Sequence, residues 1–261
     1  MTLLCARLSR WALWEDTNGQ ASLTLQTGEH HSAVTYPTVE ADLARSIKPA
    51  WRRRLDLFGR AAAETLDKVL LPATDEQTDN PHIVFCSQHG NINRTVKLLH
   101  QVATNDALSP ADFSMSVHNA FVGVASINWA ITQSHTAIAA GHDSMIAGLT
   151  ETLCQVMATQ SPVILCYVDL PLPDVYAKQV GGPEVGTAFA ARFEPQSSDK
   201  KGLAFSSHPS GGSEKDANSA EAANTSAYDH VKLLTNFLAV ETEQQVTLSG
   251  ACTAWTVSRH D

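Results

Sequence analysis

Between Pro162 and Leu170 the chain reads Val163-Ile164-Leu165-Cys166-Tyr167-Val168-Asp169. A half-buried strand alternates apolar and polar residues, and an amphipathic helix repeats them every three to four. A short unbroken apolar run behind a proline fits neither pattern and predicts a strand covered on both faces. A chain that contains such a strand must supply cover for it from either side of a sheet.

The rest of the sequence supplies that cover. A second run of the same kind, His82-Ile83-Val84-Phe85-Cys86, follows Pro81 and leads into Ser87-Gln88-His89-Gly90. Leu55, Phe58, Ala62, Leu66 and Leu70 recur at helical spacing until Pro72 stops them. Further helices are expected over residues 93–103, from Ser109-Pro110, over 139–157 and over 228–240. Strands are expected over residues 3–14, ending at the turn signal Asp16-Thr17-Asn18-Gly19, over 188–193, and around 251–257. Residues 19–48 read as irregular. Residues 113–127 are apolar almost all round, which predicts burial within the protein or in an interface. Residues 196–227, rich in Ser, Gly, Asn, Lys and Glu, lack the apolar mass to offset ordering and read as a flexible loop interrupted by Leu203-Ala204-Phe205. Strands that alternate with helices predict an α/β class with a mostly parallel sheet, in one domain spanning residues 1–261.

Composition narrows the function. A formal charge of −9 disfavours nucleic acid and anionic membrane as partners. The cluster Arg52-Arg53-Arg54 is the exception and reads as the solvated start of a helix. No run approaches the ~18 apolar residues of a spanning helix, and Arg7 and Arg10 interrupt any signal-peptide core. Five scattered cysteines without CxxC spacing point to a reducing cytoplasm and not to a disulfide framework. His30-His31, His118, His135 and His142 show no zinc-type spacing, so no metal and no cofactor are expected. The sequence holds no Gly-x-Ser-x-Gly elbow, no Gly-x-Gly-x-x-Gly and no Walker A lysine. Ser210-Gly211-Gly212-Ser213 reads as linker.

Several stretches together carry a resemblance. These are Arg54-x-Asp56-x-Phe58 with alanines at helical spacing, Phe85-Cys86-Ser87-Gln88-His89-Gly90, and Phe113-Ser114-Met115-Ser116-Val117-His118-Asn119-Ala120-Phe121-Val122-Gly123 with Ser126-Ile127. The chain resembles the N-terminal half of a β-ketoacyl synthase. It is most similar to the short ketosynthase-like N-terminal domain family that serves as chain-length factor in aryl polyene biosynthesis. The resemblance implies a thiolase-like fold, N-terminal half only, with helices on both faces of the sheet.

It also gives meaning to Thr136-Ala137-Ile138-Ala139-Ala140-Gly141. Ketosynthases hold their nucleophile in a Thr-Ala-Cys-Ala-Thr-Gly turn, and Ile138 stands where that cysteine would be. A cysteine at a helix N-terminus gains nucleophilicity from the helix dipole, and isoleucine makes no use of it. The catalytic histidines of ketosynthases belong to a second half, absent from this sequence. His230 and His260 lack their glycine-rich context. The resemblance thus implies a non-catalytic, cytoplasmic subunit that pairs with a full-length ketosynthase. It would shape the tunnel in which a polyene chain grows and leave acyl carrier protein mainly to the partner. Met115, His118, Asn119, Phe121 and Val122 are its candidates for tunnel and interface, with Phe121 the first choice for the wall. His118 also reads as a packing residue bonded to backbone. The alternative is a stand-alone acyl-thioester hydrolase or acyltransferase, with Ser87, His89 and Asp169 at inferred strand ends.

Overall fold

A 16-residue strand, β1 (Thr2–Thr17), is the spine of a ten-stranded sheet. In this computed structural model, residues 2–28, 32–72, 79–180, 183–197, 202–210 and 226–260 are described. One edge of β1 pairs antiparallel with β7 (Gly186–Pro195). Its other edge is divided between β8 (Gly202–Pro209), which meets residues 2–6, and β2 (Gln20–Gln26), which meets residues 11–17. The turn into β2 uses Asn18 and Gly19 at φ 55° and 84°, the two positive-φ positions a tight hairpin requires. β3 (Val34–Thr38) continues the hairpin.

Beyond β7 lie β6 (Val163–Asp169), β4 (His82–Cys86) and β5 (His135–Ile138), and beyond β8 lie β10 (Thr253–His260) and β9 (Gln245–Ser249). The pairs β4–β5 and β4–β6 are parallel and the other pairings are antiparallel. The expected mostly parallel sheet is therefore corrected to a mixed sheet with a parallel block at one end. Within that block α-helices connect the parallel strands, Ile92–Thr104, Pro110–Ser114 and Ala120–Trp129 between β4 and β5 and Ser144–Thr159 between β5 and β6. Elsewhere consecutive or distant strands return antiparallel, and nothing in the local sequence reports that direction.

Eight α-helices complete the described chain: α1 (Pro49–Arg52), α2 (Leu57–Val69), α3 (Ile92–Thr104), α4 (Pro110–Ser114), α5 (Ala120–Trp129), α6 (Ser144–Thr159), α7 (Asp174–Val180) and α8 (Ala227–Ala239). Two of them, α6 and α8, lie on one face, where Leu149, Leu153, Leu234 and Phe237 pack with Tyr167 and Phe189. On the opposite face α2 and α5 set Phe58, Leu66, Phe121 and Val122 against Phe85 and Ile164. Every residue of β6 is buried, as its sequence demands. The approach of α6 to the sheet depends on Gly148. A Cβ there would stand 2.6 Å from Cys86 Sγ and 3.0 Å from Leu165 Cδ1.

Three other expectations change. Residues 19–48 contain β2 and β3. The stretch 196–227 contains β8, built around Leu203-Ala204-Phe205, and the loop expected over its remainder falls largely on residues 198–201 and 211–225, outside the described residues. The apolar stretch 113–127 is broken between α4 and α5, and Phe113, Val117 and Ile127 face outward.

Candidate functional site

The three parallel strands end side by side, and each delivers one expected residue to the same place. After β4 the turn 87–90 follows; β5 ends on Ile138; β6 ends on Asp169. The backbone N–H of Ser87 donates to the Ile138 carbonyl at 3.2 Å. Asp169 is almost fully buried, and the turn closes around its carboxylate. Oδ1 accepts from Ser87 Oγ at 2.8 Å and from the His89 N–H at 3.3 Å, and Oδ2 accepts from the Gln88 N–H at 2.9 Å. Burial pushes the carboxyl of Asp169 above the ordinary carboxylate range, while the bonds from Gln88, Ser87 and His89 pull it back. Ser87 Oγ in turn accepts from the Gly90 N–H at 2.8 Å.

The Ser87 hydroxyl gives its proton to a carboxylate and not to an imidazole. The ring Nε2 of His89 is shielded and has no hydrogen-bond partner. Ser87, His89 and Asp169 meet as a buttressed turn, without the nucleophile-to-base contact that activation of a hydroxyl requires.

A thiol nucleophile is also missing from the strand ends. Ile138 is partly buried and packs against the core below α6. The turn after it runs through Gly141, at φ +59°, into α6. Ser144 ties that turn, accepting from the Ala140 N–H at 3.0 Å and donating to the Gly141 carbonyl at 2.7 Å. Nearby Cys86 is sealed under Gly148, and burial pushes its thiol well up; burial raises Cys166 to about 12. Neither is a thiolate at neutral pH. Among the described residues no His, Cys, Asp and Glu side chains group to hold a metal ion, and no helix is long and apolar enough to cross a membrane. His30 and His31 lie outside the described residues.

His118 reaches the same turn from the segment before α5. Its Nε2 donates to the Ser87 carbonyl at 3.1 Å, and its ring stands edge-on to Phe85 with centroids 5.4 Å apart. Asn119 is exposed and reaches His135 of β5 at 3.5 Å. Met115 is half-buried. Phe121 and Val122, by contrast, are 3% and 0% exposed, and the Phe121 ring packs on Phe85 at 6.0 Å. A ring enclosed within its own chain does not face a neighbour, so Phe121, expected to form a tunnel wall, is a core residue here. Phe113, 65% exposed, and Val117, 50% exposed, are the bulky side chains that face outward here.

Below the site, Asp56 caps α2 and receives Asn91 Nδ2 at 2.8 Å and Arg94 Nη2 at 2.9 Å. Arg94 continues to Asp112 of α4 at 2.7 Å. The carboxylate of the Arg54-x-Asp56-x-Phe58 stretch thus locks α2, α3 and α4 together.

The chain matches the profile of the beta-ketoacyl synthase N-terminal domain over residues 25–257. It belongs to that family. No curated protein matches it in sequence. Among solved structures, this ketosynthase-type domain is similar to the ketosynthase ApeO in complex with its chain length factor ApeC from Xenorhabdus doucetiae. The TM-score is 0.70 at 21% identity, over 98% of this chain and 100% of the other. It is also similar to the ishigamide ketosynthase/chain length factor, with a TM-score of 0.57 at 14% identity, over 85% of this chain and 70% of the other. At these identities the likeness establishes the thiolase-like ketosynthase fold.

Two features of the domain were not read from sequence. One is the meeting of Ser87 with Ile138, which needs the β4–β5 register. The other is a groove of about 350 Å³ lined by Arg45, Ile47, Pro49, Arg52, Arg53 and Arg60. The run Arg52-Arg53-Arg54 was its signal, but Arg45 and Arg60 join it only in three dimensions. Arg54 instead lies over the Trp51 ring at 4.8 Å.

Proposed function

We propose that this chain is a non-catalytic subunit of the chain length factor type. In this reading it pairs in the cytoplasm with a cysteine-bearing ketosynthase and shapes the tunnel in which that partner extends an acyl chain, a polyene. The observation that carries the proposal is Ile138. By the family resemblance it stands where a ketosynthase turn presents its cysteine, partly buried in the core, and Cys86, its partner in the β4–β5 register, is buried with its thiol pushed up by burial. A turn kept without its nucleophile retains shape and loses chemistry.

Three further observations favour a partner. Among the described residues β5 is an edge strand that pairs with β4 alone and offers backbone groups on its other side. Phe113 and Val117, with Ile127 further along the same stretch, expose bulky apolar side chains that a partner could cover. The similar structures include complexes that are named for a ketosynthase and a chain length factor. With a net charge of −9, the chain favours leaving most docking of an acidic acyl carrier protein to the ketosynthase, the arginine groove being a local exception.

The test is co-expression with a cysteine-bearing ketosynthase from the same organism. A stable heterodimer burying more than the ~2,000 Å² at which obligate interfaces begin is expected. Separate elution of the two chains at micromolar concentration would count against the reading.

A further inference from the structure

Asp169 is a buried carboxylate that no step of the proposed function uses. The turn 87–90 sends it three donors, the Ser87 hydroxyl and the N–H groups of Gln88 and His89, and the Tyr167 hydroxyl adds a fourth from β6, so the turn cannot move without leaving its donors unpaired. The turn also carries the Ser87 carbonyl, to which the His118 imidazole donates. A Cβ at Gly90, which sits at φ +61°, would stand 3.3 Å from His118 Cδ2, so the ring lies directly over the turn. His118 belongs to the segment 115–119, which ends on Asn119 beside His135 of the edge strand. The route from Asp169 to the outward-facing residues is therefore one chain of hydrogen bonds and one ring contact.

We propose that Asp169 is a positioning residue for the partner-facing segment 115–119, acting through the Ser87 carbonyl and His118. The inference rests on the functional reading above for what the segment faces, but the link from Asp169 to His118 is a property of the chain itself. Asparagine at 169 would offer one acceptor oxygen where the three donors of the turn and the Tyr167 hydroxyl point, and its amide would face them with hydrogens of its own. The turn would shift, and His118 would lose the carbonyl it donates to.

Two measurements on the full chain separate the levels. In the first, ¹⁵N-correlated NMR of the imidazoles reads the His118 tautomer. The wild-type ring should be protonated and hydrogen-bonded at Nε2, and Asp169→Asn should shift that signal or speed its exchange. Ser87→Ala, which keeps the two backbone bonds from the turn to the carboxylate, is the milder variant and should act in the same direction if Asp169→Asn does not fold. An unmoved His118 signal in the folded variant overturns the inference, whatever the partner does. In the second, the affinity for the ketosynthase is titrated. Asp169→Asn (or Ser87→Ala) and His118→Phe should each weaken pairing about tenfold, and the double variant no more than the weaker-binding single, because coupled sites are not additive. Losses that multiply to about a hundredfold, or singles that bind as tightly as wild type, overturn the route through His118. A wild-type chain that never binds a ketosynthase overturns the functional reading instead.

Discussion

Phe85 shows how single residues share the work around the strand ends. Its ring touches Phe58 at 6.4 Å, His118 at 5.4 Å and Phe121 at 6.0 Å, so it joins α2, the segment 115–119 and α5 at one point. Phe121 fills the space between Phe85 and the rest of that core. Phe121→Ala should therefore destabilise the chain by ~3–5 kcal/mol, the range for ring truncation in a packed core. Urea unfolding measures this, and a loss under 1 kcal/mol, about what an exposed ring would give, would return Phe121 to the list of outward-facing residues. The sequence marked Phe121 as bulky and apolar, which is correct, but bulk does not say which side of a short helix faces home. That depends on where α5 is anchored, and the anchor is His118 on the Ser87 carbonyl, a contact between residues 31 positions apart.

Elements differ in how fully their sequences announce them. β6 is legible because burial on both faces leaves no polar position to confuse the pattern. The helix α8 is equally plain, with Ser226 and Asp229 forming a capping box. β2 was hidden in its Ser, Thr and Gln content although Asn18-Gly19 announces the turn before it, and β3 is exposed along its length and interrupted by Pro37. β9 is short and buries only Leu248 fully, so its pairing with β10 gives it form. The link between α8 and β9 is His230, fully buried, whose Nε2 donates to the Ser249 carbonyl at 2.9 Å while Nδ1 has no partner. Burial lowers its pKa below the ordinary 6.5, the Ser249 bond and the Asp143 and Asp229 charges opposing. The unfolded chain thus takes up this proton more readily than the folded one. The stability from a neutral His230 is present above pH 6.5 and is lost as pH falls through the lower folded value. Wild type should lose thermal stability faster than His230→Gln between pH 7 and pH 5. Parallel curves for the two proteins would contradict a buried neutral imidazole.

At the scale of the whole molecule, the sheet is filled around β1 and runs out to edge strands, β5 at one end and β9 at the other. β1 fills both of its edges with partners, while β5 closes the parallel block with four residues and a free side. That free side, the turn that follows Ile138, and the outward-facing Phe113 and Val117 belong to the stretch in which the sequence most resembles ketosynthases. The family and the α/β class were legible from motifs of a few residues. The mixed direction of the sheet was not, since it depends on pairings between strands as far apart as β1 and β7. The proposed role, a domain that shapes a reaction performed by its partner, is addressed directly by one measurement. Carrier-bound products made by a cysteine-bearing ketosynthase are weighed by mass spectrometry with this chain present, absent, or present alone. The account predicts a narrow range of chain lengths only when both proteins are present, and no condensation by this chain alone. Turnover of malonyl-thioester by the chain alone, or the same products from the ketosynthase without it, would contradict the account.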